Sequence, residues 1–268
     1  MKIIIPIKQV PETKSVKMDE KTGTVIREGV EAIINPLDLY AIELAVQLKE
    51  KYGFSLIAIS MGPPKAVDAL KEAIAMGIDD AFLLSDKALA GSDTWATSYA
   101  LAEMIKYIGD YSLVICGERA TDGDTGQVGP ELAASLGIPV ISYVNRFIEF
   151  APIKKEIYVH RLTEEGEEIF CAPLPVLLTV VKEVSEPRLP TLRGKLKAKA
   201  QKIPVLKAEN LKLDTTKIGL DGSPTRVVKI FRPKIARNCF KFIAKDPAKV
   251  EEAGIKFYEF LKSREISS

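Results

Sequence analysis

The first half of the sequence alternates short, continuously apolar runs with segments in which apolar residues recur at helical spacing. The apolar runs are typical of buried parallel strands and cover residues 3–7, 55–60, 81–84 and 111–116. Helical segments follow them at residues 35–53, 65–76, 92–108 and 130–136. This alternation predicts an α/β fold built on a doubly wound, mostly parallel sheet.

The pattern of apolar and polar residues changes after residue 139. Further strand-like runs at 140–150, 156–162, 168–171 and 176–181 predict a β-extension of the same domain. Regular periodicity then ends, and the basic, proline-bearing segment 186–202 is either a solvated loop or, because loops of this length are uncommon, a functional one. The remainder, with a short helix predicted at 247–261, is expected to be an arm that wraps a partner. The predicted division is therefore 1–185, 186–202 and 203–268.

The composition sets outer limits on function. A net charge of +2 does not indicate nucleic acid or an anionic membrane as a partner, and no apolar run is long enough to insert across a bilayer. No signal-peptide pattern precedes the first strand. The three cysteines are widely spaced and odd in number, so neither a disulfide framework nor a zinc ribbon is expected. We therefore expect a soluble, cytoplasmic protein.

The single histidine, His160, restricts the possible chemistry. It lies in an alternating, strand-like segment, where a solvent-facing side chain is the simplest interpretation, and no Ser-His-Asp or Cys-His arrangement can be built around it. In the absence of His clusters and tight carboxylate motifs, the sequence predicts neither a catalytic side chain nor a metal site. Any chemistry would be carried by a cofactor.

A glycine-rich loop, 117–130, joins the apolar run 111–116 to the helical segment 130–136. A strand, a glycine-rich loop and a helix start form a frequent phosphate-binding arrangement, because the backbone can approach the anion and the helix end offers free N–H groups. No Lys-Ser or Lys-Thr follows the glycines, and their spacing misses Gly-x-Gly-x-x-Gly. The loop therefore predicts a nucleotide site of a kind other than a triphosphate loop or the common dinucleotide fingerprint.

Two carboxylates of this loop, Asp122 and Asp124, suit ribose hydroxyls or loop N–H groups better than phosphate oxygens. The alternative is a surface loop whose Asp and Thr side chains only cap the next helix. Ligands of doubly wound sheets bind beyond the carboxyl ends of the strands. That rim would also hold the turn after Ile7 and the segments 35–38 and 61–63, although each of these could equally be a simple turn or helix start.

These residues resemble the β subunit of electron-transfer flavoproteins over nearly the whole chain. Asn35-Pro36-Leu37-Asp38 matches the family's helix opening, and Met61-Gly62-Pro63 matches its turn after the second strand. Residues 120–130 match the nucleotide loop, and 159–168 with 175–179 match a later family motif. Phe170 departs from the pattern, since a smaller aliphatic residue is usual there.

The resemblance implies an adenine nucleotide at this rim: a structural AMP in ordinary members, and in electron-bifurcating members a second FAD that takes a hydride from NADH. The loop and the early segment 8–12 look like the bifurcating group, although Gly126 stands where alanine is more usual. Glycine at 123 suits a flavin's diphosphate, which an Asp side chain would repel. The implied cofactor-binding residues are Pro6, Asn35, Pro36, Leu37, Asp38, Met61, Gly62, Pro63, Gly117, Glu118, Arg119, Ala120, Thr121, Asp122, Gly123, Asp124, Thr125, Gly126, Gln127 and Val128.

The resemblance also implies partners. The chain would form a heterodimer with a flavin-bearing α subunit. The segment 186–202 resembles the family's recognition loop, in which Leu192 would be the apolar anchor for redox partners and Arg188, Arg193 and Lys195 would steer the encounter.

A bifurcating β subunit would direct electrons from NADH to ferredoxin and to a quinone or acyl-CoA dehydrogenase system. Two alternatives stay open. One is an ordinary β subunit with AMP that shuttles electrons from dehydrogenases. The other is a nucleotide-binding module of the stress-protein type without redox work, which the long arm disfavours.

Overall fold

The computed structural model describes residues 1–12, 17–18, 25–26, 32–228, 241, 246 and 249–264. The chain divides into two compact units, Met1–Val228 and Lys229–Ser268. The strands are β1 (Lys2–Pro6), β2 (Gln9–Pro11), β3 (Lys17–Met18), β4 (Val25–Ile26), β5 (Ala32–Ile34), β6 (Ser55–Met61), β7 (Asp80–Leu84), β8 (Leu113–Gly117), β9 (Val140–Ala151), β10 (Glu156–Thr163), β11 (Gly166–Pro173), β12 (Val176–Val180) and β13 (Val205–Leu206). The α-helices are α1 (Pro36–Tyr52), α2 (Val67–Met76), α3 (Thr94–Ile108), α4 (Val128–Leu136), α5 (Leu192–Ala200) and α6 (Val250–Ser263).

Within the first unit the main sheet has the strand order β11-β10-β9-β12-β8-β1-β6-β7-β13. Neighbours from β9 to β13 are parallel, whereas β10 and β11 add an antiparallel extension next to β9. Side chains of β1 alternate between the two faces, so that Ile3 and Ile5 pack with α1 and α2 while Ile4 packs with α3 and α4. The predicted α/β fold with a mostly parallel sheet is confirmed.

The last part of the first unit completes this sheet. β13 pairs with β7 in parallel, and the apolar residues that follow it, Leu211, Leu213 and Ile218, are buried in the cluster beneath α3. The compact unit thus continues to Val228, beyond the predicted boundary at residue 185. The physical reason is that β12 ends in the middle of the sheet, and the chain must cross one face to cover the open edge of β7.

The segment 186–202 is only partly the loop that the sequence predicted. Its second half is α5, capped by Thr191, whose hydroxyl accepts a hydrogen bond from the Gly194 N–H over 3.0 Å. α5 packs against α2 through its small residues: Ala198 is buried, and a Cβ at Gly194 would collide with the carbonyl oxygen of Ala75. The prediction of a loop was wrong here because the helix is stabilised by packing rather than by an amphipathic pattern of its own.

Arg188 is held inside the first unit. Its guanidinium donates to both carboxylate oxygens of the buried Glu43 at 2.8 and 3.0 Å and to Glu50 at 2.6 and 3.0 Å, and its backbone N–H also donates to Glu43. Burial would raise the pKa of Glu43, but the hydrogen bonds from Arg188 and Gln47 outweigh it and hold the pKa below its usual range. Arg188 therefore ties the crossing segment to α1, while its role as a steering charge stays a prediction.

The second unit contains α6, close to the helix predicted at 247–261. A Glu252–Lys256 ion pair of 2.7 Å stabilises one face of this helix. Several of its apolar side chains, among them Ile255, Phe257 and Tyr258, are exposed. Among the helices described in both units, none has the length and apolar character needed to cross a bilayer.

Candidate functional site

A cavity of about 370 Å³ lies at the carboxyl ends of β1, β6 and β8. The strand order reverses at β1, because β6 and β7 lie on one side of it and β8 and β12 on the other. Crevices at such a switch point are the usual ligand sites of doubly wound sheets. The lining residues are Pro6, Ile7, Lys8, Asp38, Met61, Ser92, Asp93, Thr94, Thr97, Leu101, Cys116, Gly117, Glu118, Arg119, Ala120, Gly123, Asp124, Thr125, Gly126, Gln127, Val128 and Gly129.

The start of α1 organises the floor of this cavity. Asn35 precedes the helix, but its side chain makes no capping bond. Its Nδ2 instead donates to the carbonyl oxygen of Arg119 at 2.9 Å and to Asp38 Oδ1 at 3.0 Å, and its Oδ1 accepts from the Thr121 N–H at 3.1 Å. The buried Asn35 amide therefore fixes the backbone of the glycine-rich loop to α1.

Asp38 is a buried carboxyl that lines the cavity. Burial raises its pKa to about 7, although hydrogen bonds from the Lys8 N–H (2.7 Å), the Asn35 amide and the Gly117 N–H oppose this shift. Burial likewise raises the pKa of the neighbouring Cys116 thiol, and the Asp38 charge adds to that shift. Asp38 is therefore partly protonated near neutral pH, which lessens the negative charge at the floor of the cavity.

Two glycines permit close backbone approach around the loop. A Cβ at Gly117 would lie 2.5 Å from Asp38 Oδ1 and 2.8 Å from the Leu37 carbonyl group, so the end of β8 can touch the start of α1 only without a side chain. A Cβ at Gly129 would lie 2.5 Å from Thr179 Cγ2, which brings α4 against β12. These glycines serve the fold and place the start of α4 at the cavity.

Gly123 differs from both. A Cβ there would meet nothing within 4 Å, and its backbone does not lie in the left-handed region. Neither packing nor conformation therefore demands glycine at this position. Gly123 thus leaves bare backbone at the wall of the cavity, where a ligand can approach the main chain closely.

Four charged side chains of this region form two ion pairs. Lys8 Nζ lies 2.8 Å from Asp122 Oδ1, and Arg119 Nε lies 2.9 Å from Asp124 Oδ1. The loop continues into α4, where the Gln127 side chain accepts no bond from the first turn. Cations, first-turn N–H groups of a helix and bare backbone, as at Gly123, are the kinds of group that bind phosphate in proteins.

The opposite lip of the cavity is the start of α3. The sequence predicts this helix at 92–108, but its position at the cavity was not predicted. Asp93 caps this helix by accepting from the Ala96 N–H at 3.0 Å, and its other oxygen accepts from the Thr225 N–H and hydroxyl at 2.9 and 2.8 Å. Thr94 and Thr97 present hydroxyl-bearing side chains to the cavity. The Ser92-Asp93-Thr94 sequence after β7 is a signal for a helix start, and the rule that ligands lie beyond strand ends could have placed it here.

The structure brings most of the predicted site residues to this cavity. Pro6, Asp38, Met61 and the loop residues 117–120 and 123–128 line it. Those that do not line it are Asn35, Pro36, Leu37, Gly62, Pro63, Thr121 and Asp122. Among the latter, Asn35 and Asp122 bond to lining residues, whereas Gly62 and Pro63 form the turn into α2. The predicted partner residues Leu192, Arg193 and Lys195 lie exposed on α5.

The chain is similar in sequence to proteins of one known family. Residues 22–211 match the electron transfer flavoprotein domain. An electron transfer flavoprotein subunit beta of Megasphaera elsdenii is 48% identical over 240 residues, covering 87% of this chain and 88% of that protein. The Caffeyl-CoA reductase-Etf complex subunit CarD of Acetobacterium woodii is 45% identical over 234 residues (87% and 88%), and the protein FixA of Azotobacter vinelandii is 39% identical over 262 residues (95% and 93%).

A nucleotide-type cavity at the switch point of a mostly parallel sheet thus coincides with strong similarity to flavoprotein subunits. The chain belongs to the electron transfer flavoprotein family, among its β subunits.

Proposed function

We propose that this chain is the β subunit of an electron-bifurcating flavoprotein of the cytoplasm. It holds FAD in the cavity and pairs with a flavin-bearing α subunit. Electrons enter from NADH and leave to a low-potential acceptor such as ferredoxin and to a quinone or acyl-CoA dehydrogenase system. The observation that supports this proposal is that position 123, at the wall of the cavity, is glycine although neither packing nor backbone conformation requires glycine there.

The residues present suit such a nucleotide. A cavity of about 370 Å³ lies near the lower end of small-molecule sites. It is suited to the adenosine diphosphate part of that cofactor. Lys8, Arg119 and the first turn of α4 would face the diphosphate. The Thr97 hydroxyl offers a further hydrogen bond, whereas the Thr94 hydroxyl already donates to Glu131 Oε1 at 3.2 Å. A flavin held here would supply two-electron acceptance and one-electron delivery, and no side chain is needed as an acid or base.

The relatives support the redox setting. The Acetobacterium woodii protein is named as a subunit of a caffeyl-CoA reductase complex, which makes an acyl-CoA-linked acceptor system a reasonable partner for this chain. The loop sequence Asp122-Gly-Asp-Thr-Gly-Gln-Val-Gly-Pro130 looks like that of bifurcating members, and this favours FAD and NADH.

Redox partners would dock on α5. Leu189, Leu192 and Leu196 are 86%, 76% and 62% exposed, and they lie beside the exposed cations Arg193 and Lys195. An apolar ridge ringed by positive charge suits an acidic partner with an apolar pocket, since the charges speed the encounter and the leucines supply the contact.

The α subunit would be contacted by the C-terminal arm. Exposed apolar side chains of α6, such as Ile255 and Tyr258, would be covered by that subunit.

Replacement of Gly123 tests the proposed site. Gly123→Asp should weaken FAD binding about five- to hundredfold (~1–3 kcal/mol), because it places a carboxylate beside the diphosphate. Gly123→Ala is the matched control, since it adds a Cβ that meets no protein atom and carries no charge, so the further loss in the Asp variant isolates the effect of the carboxylate. Flavin titration of the complex purified with its α subunit measures both. Equal affinity of the Asp variant and the wild type would contradict the proposed location.

A second candidate function is favoured by the modest size of the cavity. About 370 Å³ also suits AMP, which would make the chain an ordinary β subunit that shuttles electrons from dehydrogenases without NADH chemistry. The nucleotide content of the purified complex separates the two functions.

A further inference from the structure

The cations of the cavity are already neutralised by carboxylates of the same loop. The pairs are Lys8 with Asp122 and Arg119 with Asp124, at 2.8 and 2.9 Å, and Glu118 Oε1 lies farther from Arg119 Nε, at 3.9 Å. A diphosphate that needs both cations must therefore compete with Asp122 and Asp124 for them.

Breaking either ion pair costs little free energy. Lys8 and Asp122 are 49% and 30% exposed, and Arg119 and Asp124 are 49% and 69% exposed. Ion pairs this accessible to water contribute ~0–1 kcal/mol, since solvent screens them and ordering long side chains costs entropy. A diphosphate carries more negative charge than one carboxylate and accepts several hydrogen bonds, so it is the stronger partner for Arg and Lys.

The backbone beneath the pairs is fixed. Asn35 holds the Arg119 carbonyl oxygen and the Thr121 N–H, and the Asp124 N–H donates to the Ala120 carbonyl oxygen at 2.8 Å. Asp124 itself has a left-handed backbone with φ +55, a conformation that Asp tolerates better than most residues. Because the main chain is held on both sides, a change of partner would involve side chains alone.

We propose that Lys8 and Arg119 are diphosphate-binding residues that Asp122 and Asp124 hold in position and then release, so that the nucleotide takes over both cations and the carboxylates turn to solvent. This inference rests on the proposed nucleotide site and adds a role for the two aspartates. They act as internal competitors, which lower the affinity for a phosphate-bearing ligand according to the number of cations that it takes over. The opposing interpretation is that the aspartates bind ribose hydroxyls directly.

The two interpretations predict opposite effects of removing a carboxylate. The full chain in complex with its α subunit, stripped of nucleotide, is titrated with ADP, AMP and adenosine by calorimetry. Asp124→Asn should bind ADP about two- to fivefold more tightly than the wild type, which is the worth of one exposed ion pair. The gain should be smaller for AMP and absent for adenosine. Asp122→Asn should behave in the same way through Lys8.

A double substitution shows whether the cation is the cause. With Arg119→Gln in the background, Asp124→Asn should no longer tighten ADP binding, because no cation remains to be released. If Asp124→Asn still tightened ADP binding in this background, the gain would come from lost repulsion between the Asp124 carboxylate and the phosphates. The proposed exchange of partners would then be wrong. Equal weakening of ADP and adenosine by Asp124→Asn would also overturn it, in favour of ribose contacts, while leaving the nucleotide site intact. If the wild type bound none of the three ligands, both the proposed nucleotide site and the proposed exchange of partners would be wrong.

Discussion

Asn35 donates a hydrogen bond from its side-chain amide to the carbonyl oxygen of Arg119 across 2.9 Å. This contact joins the first turn of α1 to the loop after β8, and Asn35 is only 1% exposed. The position of the loop in the cavity thus depends on one amide group whose three hydrogen bonds all have defined directions.

Asn35→Asp should loosen the loop, because the change replaces the donor with an oxygen that faces the Arg119 carbonyl oxygen and Asp38. We expect a loss of ~1–3 kcal/mol in unfolding free energy and at least tenfold weaker ADP binding. Urea unfolding and calorimetry measure the two effects. Asn210→Asp is the matched control: its Oδ1 accepts from the Lys207 N–H at an exposed turn, and the aspartate keeps that acceptor. Unchanged ADP affinity in Asn35→Asp would show that the loop is positioned by other contacts.

The raised pKa of Asp38 predicts a pH dependence of stability. Its pKa is about 7 in the folded protein and 3.8 ordinarily, so between these values the folded chain binds a proton that the unfolded chain does not. The unfolding free energy should therefore fall as pH rises from about 4 to 7, by up to ~1.4 kcal/mol per pH unit, and level off above 7.

Urea unfolding of the nucleotide-free protein at several pH values between 5 and 8 checks this. Asp38→Asn lacks the titrating group, so the difference between wild type and variant isolates the contribution of Asp38. A difference that stays constant across this range would show that Asp38 is ionised throughout.

Arg188 should matter for stability rather than for steering. Arg188→Ala leaves the buried carboxylate of Glu43 without its main partner and should lower the unfolding free energy by ~2 kcal/mol or more. Arg193→Ala, which removes an exposed charge five residues along the chain, should be nearly neutral. Since Arg188 holds the pKa of Glu43 below its usual range, the gap between wild type and Arg188→Ala should shrink as pH falls below about 4. If Arg188→Ala and Arg193→Ala had equal unfolding free energies at neutral pH, Arg188 would not stabilise the contact between the crossing segment and α1.

Leu192 is expected to contribute to partner contacts alone. Because it is 76% exposed, Leu192→Ala should leave the melting temperature unchanged while slowing electron transfer to the physiological dehydrogenase or quinone reductase by roughly tenfold. Leu206→Ala is the complementary control, since Leu206 is buried beside β7 and its truncation should lower the melting temperature without affecting partner kinetics. A lowered melting temperature with intact kinetics in Leu192→Ala would reassign that leucine to the protein's own packing.

The sequence predicts the sheet and the loop because each has a local cause. Buried parallel strands must be continuously apolar, as in β1 and β6, and Gly53 ends α1 with a left-handed backbone at φ +73. The Arg188–Glu43 tether joins residues 145 apart, and no local pattern marks such a pairing. The lip at Asp93 was missed for a similar reason, since an N-cap sequence is common and only the strand order places this one at the cavity.

The nucleotide content of the purified complex tests most directly whether the cavity of this chain holds FAD rather than AMP. The chain is produced together with its α subunit under FAD-replete conditions, and bound nucleotides are released by denaturation and quantified. Two FAD per heterodimer, with AMP absent, is the predicted result. One FAD together with one AMP per heterodimer would contradict it.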